Sequence, residues 1–125
     1  MTAEHTAYQM KLRRDCLKRA SDLPLPDAVF EIVFYNKAQG PLFGRASSFE
    51  PLDMTILQQK YAAAEIEEWQ QKAYELLRSD YALGDALLRK DGTFEPLEYN
   101  WKRANPGFSS NTYEKVISHG CFVAR

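Results

Sequence analysis

The feature that most constrains this chain is an unbroken apolar seam between residues 53 and 79. Ala62, Ile66, Trp69, Ala73 and Leu76 follow one another at steps of four and three. That spacing puts them on one side of a helix and on no single side of a strand. The pattern predicts one helix over 53–79, about 40 Å long at ~1.5 Å per residue. Asp53 or Thr55 supplies its cap, Thr55-x-x-Gln58 has the form of a capping box, and Glu68–Lys72 is an i,i+4 ion pair. A spine of that length buries its seam only against other elements, so the neighbours decide the fold class.

Most neighbours read as helices. Over 3–22, Tyr8, Leu12 and Cys16 form an apolar line while Lys11, Arg14 and Lys18 share a wet face. Pro24 ends that helix, because the residue before a proline avoids helical geometry. Residues 80–90 carry Tyr81, Leu83, Leu87 and Leu88 and stop at Asp91-Gly92, where a hairpin is the rival reading. Asn111-x-x-Glu114 opens a last helix through Val116, Ile117 and His119, with Gly120 as its stop.

The stretch 23–36 is ambiguous. Val29, Phe30, Ile32, Val33, Phe34 and Tyr35 have the density of a buried strand, yet Pro26-Asp27 opens a helix well. The run Leu25-Pro-Asp-Ala-Val-Phe-Glu-Ile-Val-Phe resembles the opening helix of an F-box, which implies a helix. Nothing after Tyr35 continues that pattern, so no family follows from it. The reading is helix, with an α+β arrangement holding a hairpin near 28–46 as the alternative. Residues 40–52 read as loop, pinned by Leu42, Phe43 and Phe49. The expected fold is therefore mainly α: a single globular domain, 1–125, of four or five helices around the long central one.

Composition supports a packed core and narrows the function classes. With 125 residues, 45% of them apolar and 13% aromatic, no staple is required. Cys16 and Cys121 stand far apart with no CxxC, and no His, Cys and acid cluster at zinc spacing. Two thiols in a reducing compartment is the reading, and no metal or cofactor is expected. The first residues lack the pattern of a secretory signal, and no run reaches the ~18 apolar residues of a membrane span. The expected location is the cytoplasm. Net charge is −1, without the basic excess that neutralises phosphates, so nucleic acid is not read as the partner. Residues 53–80 hold three basic and six acidic side chains, a local acidity that suits an ordinary solvated face or a docking surface.

The segment 93–110 reads as a long loop because Pro96, Pro106 and Gly107 punctuate it. Phe94, Tyr99, Trp101 and Phe108 stand there among Lys102 and Arg103. Aromatic and arginine side chains dominate protein-binding hot spots. The candidate partner-binding set is accordingly Tyr99, Trp101, Lys102 and Arg103, joined by Glu65 and Glu68 on the acidic helix. Trp101 is expected at the surface, since two cations follow it; the competing reading is a loop packed over the core by its own aromatics. His119 and Cys121 could form a base and thiolate, but a histidine serving a helix end is the simpler reading. GxGxxG, Walker A, GxSxG and HExxH are absent. No catalytic residue is assigned. The functional expectation is a small protein-binding protein without catalysis: an inhibitor, an adaptor, or an immunity-type antitoxin that occludes its partner. The helix, acidic loop and short-helix layout is similar to that of bacterial immunity proteins. The alternative is a small enzyme or ligand-binding domain whose site has no linear motif.

Overall fold

The computed structural model describes residues 3–39, 51–89 and 94–124. Its elements are α1 (Ala3–Asp22), α2 (Leu25–Phe34), a π-type turn (Tyr35–Gln39), α3 (Thr55–Gln58), α4 (Ala63–Arg78), α5 (Asp80–Arg89), α6 (Phe94–Ala104) and α7 (Ser110–Val123). Six of these helices have ten residues or more, and no strand occurs among the described residues. The mainly helical reading is correct, and the hairpin alternative has no support. The expected loop over 40–52 and the Asp91-Gly92 stop fall largely outside the described residues.

Residues 1–70 and 71–125 form two compact units, with the division inside α4. In the first, α2 is the core. Every residue from Leu25 to Phe34 except Pro26 is buried. A helix this rich in apolar residues, eight of its ten counting Pro26, is stable only when covered on nearly all sides, and that need overrides the strand preference of its β-branched residues. Pro26 sits in the first turn, where its missing N–H costs no helical bond, and the Ala28 N–H donates to the Pro24 carbonyl at 2.9 Å. Cys16 and Ala20, one turn apart on α1, pack against it with no more than 1% exposure. Lys11, Arg14 and Lys18 stay wet as their spacing predicts, whereas Tyr8, at the far end of the apolar line, is exposed.

The expected helix over 53–79 is two helices. The Leu57 carbonyl accepts from both the Lys60 and the Tyr61 N–H at 3.0 Å, which ends α3. Lys60 Nζ then donates to the Ser21 carbonyl at 2.8 Å, helping to hold the end of α1. Neither Asp53 nor Thr55 is the cap: Met54 holds that position with no side-chain bond, and Asp53, one residue earlier, accepts from the Thr55 N–H through Oδ1 at 3.1 Å, a bond that holds its carboxyl below the ordinary range. Of the seam, Ile66, Ala73 and Leu76 are buried, Trp69 is half-buried and Ala62 is exposed. Asn36 is tied to Leu52: its Nδ2 donates to the Leu52 carbonyl at 2.8 Å and its Oδ1 accepts from the Leu52 N–H at 2.7 Å.

The second unit is built on a close crossing of α5 and α7. A Cβ added at Gly84 would strike the backbone carbonyl of Gly120, and one added at Gly120 would strike that of Asp80. Gly120 is therefore not a helix stop, as its position suggested, but an interior residue that admits the neighbouring helix. Nor does Asn111 cap α7. Ser109 does, its Oγ accepting from the Thr112 N–H at 3.3 Å.

Candidate functional site

The segment 93–110 is not a long loop. Its first half is α6, and the reason lies in where its prolines fall. Pro96 occupies the first turn, where the helix has no N–H bond to lose. Pro106 and Gly107 lie beyond the end, and Gly107 takes φ 104°, a left-handed conformation suited to glycine. The end is tied off without side chains from elsewhere in the helix: the Asn105 N–H donates to the Trp101 and Lys102 carbonyls at 3.1 Å, and Asn105 Nδ2 to the Trp101 carbonyl at 3.0 Å.

Once the segment is a helix, its aromatic and cationic residues separate by face. Trp101 turns inward and is only 8% exposed. Its Nε1 donates to Ser79 Oγ at 2.8 Å, at the joint between α4 and α5, and its ring meets Tyr113 edge-on at 5.4 Å. The expectation of a surface tryptophan was wrong. The two cations that follow it leave the core by helical rotation of ~100° per residue, so burying Trp101 does not bury them. Tyr113 completes the anchor. Its hydroxyl donates to the Asn105 carbonyl at 2.6 Å, and Phe108 packs edge-on at 6.1 Å.

Tyr99, Lys102 and Arg103 remain outside. Tyr99 is 61% exposed, and the Arg103 guanidinium lies 5.6 Å from its ring centroid, one turn along the helix. Lys102 is half-buried: its Nζ donates to Glu98 Oε1 at 2.8 Å and lies 5.4 Å from the Tyr113 ring. Of the expected set, Tyr99, Trp101, Lys102 and Arg103 thus share one helix, with Tyr99 and Arg103 exposed, Lys102 half-buried and Trp101 inward. Glu65 and Glu68 are exposed on the part of α4 that belongs to the first unit. The Phe94 side chain lies outside the described ones.

Two constellations were not anticipated. His119 Nδ1 donates to Asp80 Oδ2 at 2.5 Å beside the glycine crossing, with Asp80 buried and His119 half-buried. This is the orienting half of a catalytic triad in form. Cys121 does not complete it, because two residues along a helix is a rotation of roughly 200°. The second is a polar seam between α1 and α2. Glu31, 5% exposed, pairs with Arg19 at 3.6 Å, and Cys16 Sγ donates to the Glu31 carbonyl at 3.4 Å. Tyr35, next on that face, has its hydroxyl pKa raised by burial, an effect that the charge and hydrogen bond of Arg13 oppose. Neither constellation has a local sequence signature, since Asp80 and His119 stand 39 residues apart. No group of three His, Cys, Asp or Glu side chains among the described residues could hold a metal ion. Nor is any described helix long and apolar enough to cross a membrane. Comparison with family models, with curated proteins and with solved structures returns no match.

Proposed function

We propose that this chain is a protein-binding module that acts by occupying a partner's surface, as an inhibitor, an adaptor or an immunity-type antitoxin does, without catalysis. The observation that carries the reading is the outer face of α6. There an exposed tyrosine and a stacked arginine ride on a helix whose inner face is fixed by Trp101, Ser79 and Tyr113. Rigid aromatic and arginine anchors bind with little ordering cost, which is why they dominate hot spots. The compartment proposed with it is the cytosol, in keeping with a Cys16 thiol buried against the Glu31 carbonyl.

A second reading, a small enzyme, rests on the Asp80–His119 pair. It is the weaker one, because catalysis by such a pair needs a nucleophile and an oxyanion site as well. Photo-crosslinking in the native host separates the two. A benzophenone amino acid at position 99 is expected to give a discrete protein adduct that one at exposed Lys18 on α1 does not. Equal labelling from both positions, or none from either, would refute docking through α6.

A further inference from the structure

Three features of α6 say more about what its outer face receives. The first is the imbalance of charge over its last two turns. Glu98, Lys102 and Arg103 sum to one positive charge, and the pairing is settled: Glu98 is taken by Lys102 at 2.8 Å. Among the described residues, Arg103 lies over the Tyr99 ring and is paired with no carboxylate. The second is that other groups already tie the helix end. The Trp101 and Lys102 carbonyls accept from the Asn105 N–H, the former also from its side-chain amide, and the Asn105 carbonyl accepts from the Tyr113 hydroxyl. The third is presentation. A guanidinium resting on a tyrosine ring keeps its N–H donors while its orientation is restrained, which favours two parallel bonds to one planar anion.

We infer that Tyr99 and Arg103 receive a carboxylate of the partner protein, so that the partner's contacting segment carries an Asp or Glu beside an apolar or aromatic residue that covers the Tyr99 ring. The inference rests on the protein-binding reading and specifies its partner. A nucleic-acid phosphate would satisfy the same donors. Charge decides against it: the chain carries −1 overall, and a strand-tracking site needs several unneutralised cations where α6 offers one. A simpler account makes Arg103 a favourable charge at a helix C-terminus and nothing more. Lysine would serve that purpose equally, so Arg103→Lys distinguishes the two.

The test uses the full chain as bait against a display library of random dodecapeptides, with a labelled oligouridylate measured in parallel. Enriched peptides are expected to carry an Asp or Glu. Their affinity should fall about tenfold in Arg103→Lys and further in Arg103→Glu, with the thermal melt unchanged. Replacing the peptide acid by lysine should restore binding to Arg103→Glu while abolishing it for the unsubstituted chain. Peptides without acidic bias, lost in Tyr99→Ala but kept in Arg103→Lys, would overturn the carboxylate and leave the docking face standing. Absence of any binding that depends on Tyr99 or Arg103 would overturn both. Oligouridylate binding that depends on Arg103, with no peptide enriched, would overturn the inference in favour of a phosphate ligand.

Discussion

Gly84→Ala puts two effects of opposite sign against each other. Gly84 lies inside α5, and alanine in a helix interior is favoured over glycine by about 1 kcal/mol. On propensity alone the substitution stabilises. The crossing reverses that sign. The new Cβ would overlap the carbonyl carbon and oxygen of Gly120 and stand 2.6 Å from the Cys121 nitrogen. Those atoms are backbone within α7 and cannot swing aside as a flexible side chain would. Relief requires the two helices to part by something on the order of 1 Å, and overpacking of this kind costs about 1–3 kcal/mol. Separation also stretches the bond from His119 to Asp80, now 2.5 Å, and weakening a hydrogen bond to a charged group adds about 1.5–3 kcal/mol. Set against the helical gain, the net is a destabilisation of about 1.5–5 kcal/mol. Urea denaturation measures it, followed by Trp101 fluorescence in a Trp69→Phe background so that the signal comes from the second unit. Ala82→Gly, at an exposed position of the same helix, calibrates the propensity term alone and should cost about 1 kcal/mol. A Gly84→Ala chain as stable as its parent would show that α5 and α7 do not cross on backbone, and the Asp80–His119 geometry would fall with it.

Two further predictions follow from the buried aromatics. Trp101→Ala should cost about 3–5 kcal/mol, as large core aromatics do, and Trp101→Phe about 1–2 kcal/mol through the lost bond to Ser79 Oγ. Denaturant unfolding that places both variants within ~0.5 kcal/mol of the parent would return Trp101 to the surface. Tyr35 gives the alkaline limb of stability. Its pKa is higher folded than unfolded, so the unfolded chain ionises first as pH rises above the ordinary value near 10. The contribution is whole below that value and is lost as pH climbs through the raised one. Tyr35→Phe should flatten the fall in stability over that window, and an unaltered alkaline limb would place the hydroxyl in water.

How much of this was legible from the residues depends on the range of the interaction that decides each element. Helical period is a local property, so Leu12 with Cys16 and Ile66 with Ala73 and Leu76 gave up their helical character directly. α6 was equally local and was obscured by punctuation. Leu97 and Trp101 stand four apart, Glu98 and Lys102 do likewise, and Pro96 is harmless in a first turn. A boundary at Asn105 leaves 94–104 with helical spacing, and with it the separation of Trp101 from Tyr99 and Arg103. The break at residues 59–62 has a weaker signature, since nothing between Gln58 and Ala63 forbids a helix; Lys60 is drawn to the Ser21 carbonyl, a contact 39 residues distant in sequence. Long-range pairing also decides Gly120. By position it resembles a C-terminal glycine, and only its apposition to Asp80 shows that the missing side chain serves a crossing. The same reasoning applies to Asp27 and Glu31. Asp27 reads as part of a helix opening and Glu31 carries no signal of its own, yet α2 is covered on every side, so both are carried into the interior by the apolar residues around them. Burial of a charge is tolerable only with a partner, and for Glu31 the sequence supplies one in Arg19 on the preceding helix.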